Sequence, residues 1–180
     1  EKRLPSSSYM NAPLLVPPKP YPIIIFDHGF EGYEKQNLTQ MEELASWGYV
    51  VFSVNHPGES AITEYPDGEV VYIDHNRYPS LMAKTKKEAK ANAAQTRDFV
   101  KKIREAPTDP EKIEYVKQFA VVPRISTLNL PIKERTRDLI TVMEKIAEGS
   151  KSIPGVIDIN NVGIFGHSMG GNASVMIACQ

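Results

Sequence analysis

One short string constrains this chain more than any other feature. Gly166-His167-Ser168-Met169-Gly170, with Gly171 beyond it, follows the run Val162-Gly163-Ile164-Phe165 and precedes a segment predicted to be helical from near Gly170. The run is β-branched and aromatic without polar alternation, which reads as a buried strand. A serine between glycines two before and two after suits a sharp strand-to-helix turn. The small residues let the flanking chains pass closely, the hydroxyl projects above the sheet, and the new helix presents free N–H groups beneath it. Three fixed positions at roughly 7% each arise by chance in about 6% of chains this long. The context, rather than the string, therefore makes Ser168 a candidate nucleophile. The alternative is a serine N-cap beside packing glycines.

The rest of the chain supplies that context. Residues 1–22 read as irregular, because six prolines from Pro5 to Pro22 remove backbone donors. Ile23-Ile24-Ile25-Phe26 reads as a strand buried on both faces, hence part of a parallel sheet. Leu38, Met41, Leu44 and Ala45 have helical spacing, with Asn37 as N-cap and Gly48 as the C′ residue. Val50-Val51-Phe52-Ser53-Val54 is a second buried strand, which completes a βαβ unit. A short strand is expected over 69–73 and helices over 81–105 and 111–119. A further helix is predicted over 132–148, with Pro131 near its first turn, Gly149 at its end and a stripe of Ile132, Leu139, Ile140, Met143, Ile146 and Ala147.

A second candidate feature follows the first strand. Acyl transfer places negative charge on a carbonyl oxygen, and backbone N–H donors aimed at it lower the barrier by several kcal/mol. Met169, directly after the serine, should supply one donor, and the loop His28-Gly29-Phe30 should supply the other through Phe30 N–H. The alternative for the loop is an ordinary turn whose glycine supplies a positive φ.

Strand, His-Gly-Phe, helix, strand and then Gly-His-Ser-Met-Gly-Gly resemble an α/β-hydrolase. Tyr21 to Phe30 and Trp47-Gly48-Tyr49-Val50-Val51 resemble the platelet-activating-factor acetylhydrolase-like and dienelactone-hydrolase-like branches, as do Arg137-Asp138 and Ile157-Asp158-Ile159. The elbow string is also similar to that of cutinase-like polyester hydrolases. Dienelactone hydrolases proper carry cysteine where this chain has Ser168. The resemblance covers about 20–60 and 130–180, and implies a three-layer α/β fold with a mostly parallel sheet, incomplete in this chain. The stretch 61–130 is expected to be a helical insertion or cap. A serine esterase acting on short-chain or lipid acyl esters is implied, with a non-catalytic binding or scaffold module as the rival.

The family's chain order is serine, acid, histidine. Only 12 residues follow Ser168, and they hold no Asp, Glu or His. The acid and base are therefore expected outside these residues, on the rest of a longer enzyme or on a second chain. Among the upstream histidines His56 is the best substitute base; His28 belongs to the loop and the His167 side chain should diverge from the serine.

Charge and composition exclude other classes. With 21 basic against 22 acidic residues, the chain has no global attraction to nucleic acid. No apolar run is long enough to cross a membrane. Residues 84–104 carry a basic excess that reads as a solvated helix face rather than a lipid-binding one. No zinc spacing and no phosphate-cradling loop appears, so neither metal nor other cofactor is expected. The single cysteine, Cys179, is expected to pack in the core, and the compartment stays open.

Overall fold

The computed structural model describes residues 6, 8–13, 15–78, 86–120 and 128–179. They fall into two compact units. The first comprises 1–74 with 132–180, and the second is 75–131.

The first unit is built on a parallel sheet. Strand β1 (Tyr21–Asp27) leads to helix α1 (Leu38–Ser46) and strand β2 (Val50–Val54). A two-stranded antiparallel hairpin follows, β3 (Ile62–Glu64) with β4 (Val70–Tyr72). The chain then continues through a helix over Asn129–Ser150, whose first three residues belong to the second unit, strand β5 (Ile157–Gly166) and a helix over Met169–Ala178. The sheet order is β2-β1-β5, all parallel, so β1 is central. The strand run 23–26 is Ile-Ile-Ile-Phe because a central parallel strand meets apolar material on both faces.

The helices of the second unit are α2 (Lys86–Glu105) and α3 (Asp109–Ala120); the helix over 129–150 is then α4 and the one over 169–178 is α5. The part of the predicted 81–105 helix before Lys86 lies outside the described residues. Pro110 sits in the first turn of α3, where a missing N–H costs nothing, instead of stopping the chain ahead of it. Phe99 and Phe119 join α2 to α3 with ring centroids 5.2 Å apart. Arg97, Lys101, Lys102 and Arg104 are exposed, as a solvated face requires.

The core of the first unit lies between the sheet and the two helices that flank β5. Ile23, Ile25 and Val54 from the sheet meet Leu139 of α4 and Ala173 of α5. By strand alternation Phe26 faces the other way, and its ring packs tilted against Phe165 with centroids 4.9 Å apart. The expected α4 stripe is present, with Leu139 fully buried and Met143 and Ile146 packed against the cluster.

Four local expectations differ from the structure. Tyr21 and Pro22, expected to be irregular, open β1, because they pair with Ile157 and Asp158 of β5. Strand β5 begins at Ile157, five residues before the apolar run. Its first two residues pair with Tyr21 and Pro22, and the register then jumps from Asp158 to Val162 at a bulge between Pro22 and Ile23. Along β5, Ile159 and Val162 are exposed, because β5 is an edge of the described sheet. Asn37 precedes α1 but does not cap it; its amide donates to Gln40 Oε1 at 2.8 Å. Cys179 is exposed, not core-packed, because it lies past the last turn of α5.

Candidate active site

Ser168 stands at the junction of β5 and α5 with φ +53° and ψ −113°. A non-glycine residue there is strained by roughly 1–3 kcal/mol, and persists only where the surroundings enforce it. Two glycines provide the enforcement. A β-carbon on Gly170 would collide with the carbonyl oxygens of Asp27 and His28, and one on Gly166 would collide with the backbone of Gly170 and Gly171. Helix α5 therefore meets the C-terminal end of β1 backbone to backbone, and His167 N–H donates to Asp27 O at 3.0 Å.

The hydroxyl of Ser168 makes no capping hydrogen bond although the residue holds the N-cap position, and the residue is exposed. Met169 opens α5, so its amide is one of the helix's first donors with no intrahelical acceptor.

The His28-Gly29-Phe30 loop lies beside this turn. A β-carbon on Gly29 would be 2.7 Å from His167 Nδ1 and 3.5 Å from Ser168 Cβ. Gly29 does not have a positive φ; the left-handed residue of the turn is Glu31, at φ +60°. Glycine is needed here for close approach, which replaces the conformational reason of the alternative reading. Gln36 links the two pieces: its Oε1 accepts from Gly29 N–H at 3.0 Å and its Nε2 lies 3.0 Å from His167 Nδ1. The His167 ring is thereby turned to Gln36 rather than to the serine hydroxyl.

Beneath the loop is a buried polar cluster that the sequence reading did not identify. It draws Asp27 and His28 from the end of β1, His56, Glu59 and Ser60 from the turn after β2, and Arg135 from α4; all six are 0–2% exposed. Arg135 Nη1 donates to Asp27 Oδ1 at 2.6 Å and to the His28 carbonyl. Its Nε donates to Glu59 Oε1 at 2.7 Å, and its Nη2 pairs with the same oxygen at 2.6 Å. The sequence did carry a signal. Arg135 falls on the apolar stripe of α4, three residues after Ile132 and four before Leu139, and a charge on a core stripe requires buried partners.

His56 takes part in this cluster instead of serving the serine. Its Nε2 faces Asp27 Oδ1 at 3.0 Å and its Nδ1 faces Asp138 Oδ2 at 2.7 Å. Both partners are acceptors, so the ring that satisfies them carries two protons. Burial pulls the His56 pKa down, but the bonds to Asp138 and Asp27 outweigh it and the net shift is upward. His28 is the opposite case. Burial pushes it down to about 4 against the pull of its bond to the Gly29 carbonyl, and the Arg135 and His56 charges push the same way as burial. Its neutral ring donates from Nδ1 to Gly29 O at 2.6 Å and accepts at Nε2 from Ser60 Oγ at 2.8 Å. Ser60 Oγ in turn accepts from His56 N–H at 2.8 Å. Among the described residues no histidine is hydrogen-bonded to Ser168 Oγ.

Comparison with known proteins bears on the fold and the family. A ferulic acid esterase from Streptomyces cinnamoneus superposes with a TM-score of 0.56 at 20% sequence identity, over 91% of this chain and 34% of that one. The chain thus spans about a third of that protein's length, and the likeness establishes the α/β-hydrolase fold. The match to the family described as platelet-activating factor acetylhydrolase, isoform II, runs over residues 1–180, and the chain belongs to that family.

Proposed function

We propose that the protein is a serine hydrolase that cleaves carboxylic esters through an acyl-enzyme on Ser168. The observation that carries this reading is the strained, exposed Ser168, whose hydroxyl caps no helix while Gly29 lies alongside it. In the first step Ser168 Oγ bonds to the ester carbonyl carbon and its proton passes to a base. The carbonyl oxygen becomes an oxyanion held by the amides of Phe30 and Met169. The bond to the leaving alcohol then breaks, and the alcohol departs with that proton. Water repeats the sequence on the acyl-enzyme and releases the acid.

His28 and His56 are buried and engaged with other groups. In keeping with the family's chain order of serine, acid, histidine, the base and its orienting acid are proposed to lie in sequence outside these residues. Short-chain and lipid acyl esters, acetyl esters among them, are the proposed substrates, in keeping with the acetylhydrolase family. The stretch 61–130 is read as an insertion in the hydrolase domain.

The test is a fluorophosphonate probe on the protein expressed from its full reading frame. Wild type should label stoichiometrically and Ser168→Ala should not. Labelling that survives Ser168→Ala overturns the assignment, and a folded wild type that never labels favours a non-catalytic binding module.

A further inference from the structure

The buried cluster has a consequence for the loop above it, given the reading of Ser168 as nucleophile. A trans peptide is planar, so the carbonyl of one residue and the N–H of the next point in opposite directions. Whatever holds the Gly29 carbonyl therefore also aims the Phe30 amide. Three donors hold that carbonyl: His28 Nδ1 at 2.6 Å, Gly32 N–H at 2.9 Å and Arg135 Nη2 at 3.4 Å. The preceding carbonyl, His28 O, is held by Arg135 Nη1, which also binds the Asp27 carboxylate. One guanidinium thus spans the side chain of residue 27 and the carbonyls of residues 28 and 29. It is fixed from behind by Glu59 and is fully buried.

We propose that Arg135 is a positioning residue for ester hydrolysis: it locks the His28 and Gly29 carbonyls inward so that the Phe30 amide is presented to the oxyanion. Arginine suits the position because its planar fork donates in several fixed directions at once. A lysine ammonium on a flexible stem cannot hold two successive carbonyls and two carboxylates together. The guanidinium does not touch substrate, so its effect should fall on the transition state, where the oxyanion forms, rather than on substrate binding.

The experiment compares wild type, Arg135→Lys and Glu59→Gln, each from the full reading frame and each checked by circular dichroism, with p-nitrophenyl acetate as substrate. Arg135→Lys should lower kcat about 10- to 100-fold with little change in KM, less than the loss expected on removing a donor outright. It should weaken inhibition by a trifluoromethyl ketone, which forms an oxyanion on the serine, by a similar factor. Inhibition by an unreactive ether analogue should not change. If Arg135→Lys does not fold, Glu59→Gln carries the test: it keeps the arginine and its shape but removes the charge that holds Nε and Nη2, and should lower kcat at least threefold at unchanged KM. Wild-type kcat in a folded Arg135→Lys, or equal loss of both inhibitors, overturns the proposal; where only Glu59→Gln folds, wild-type kcat does the same. Hydrolysis that persists in Ser168→Ala fails the nucleophile reading instead, so the two failures are separable.

Discussion

A single methyl group tests the elbow at the scale of one residue. Gly170 is where α5 comes down on the end of β1, and its β-carbon would meet carbonyl oxygens rather than a side chain that could swing away. Relief requires the helix to lift off the strand. Overpacking of this kind costs about 1–3 kcal/mol, and here it also displaces Ser168. Gly170→Ala should therefore lower the melting temperature and slow fluorophosphonate labelling in protein that remains folded by circular dichroism. A variant that melts and labels like wild type would show that the close approach does not hold the serine. The spacing of the two glycines was legible because their reason is steric and local. The cluster of Arg135, Asp27 and Glu59 is not legible in this way, because its members lie as far as 108 residues apart in sequence.

Helix α4 shows the same division at the scale of an element. Its stripe could be read from spacing alone, and Leu139 at the centre of that stripe is completely buried between α4 and β1. Leu139→Ala should cost about 2–5 kcal/mol in urea denaturation. Thr141→Ala, on the exposed face of the same helix, should stay within about 0.5 kcal/mol. Equal effects would place the stripe elsewhere. Strand β5 was legible only in its second half, because Asp158, Asn160 and Asn161 break the apolar run. Their strand geometry comes from β1: Pairing with Tyr21 and Pro22 recruits Ile157 and Asp158, and the bulge absorbs the residues in between.

For the whole molecule, the two buried histidines make stability depend on pH in opposite directions. The His28 pKa is depressed from 6.5 to about 4 in the folded state. The unfolded chain therefore binds the extra proton first, and stability falls as pH drops from 6.5 towards 4, by an amount on the order of 3 kcal/mol. The His56 pKa is raised, so its contribution is complete below the unfolded value and is lost as pH climbs through the folded one. Stability should peak near pH 6.5, where the two windows meet. In denaturant titrations across this range, His28→Asn, which keeps a donor near the Nδ1 position, should remove most of the acid-side slope. An unchanged slope in that variant would assign the acid sensitivity to other groups.

By itself the sequence determined the strand that ends in His-Gly-Phe, the βαβ unit after it, the amphipathic α4 and the glycines around Ser168. Each depends on periodicity or sterics within a few residues. Only the tertiary structure decided that His56 is locked between two carboxylates, that Gln36 ties Gly29 to His167, and that Arg135 holds the loop from below. These are pairings between groups distant along the chain. They are imposed by desolvation, since a buried charge or carbonyl must take whatever partner the packed elements bring to it.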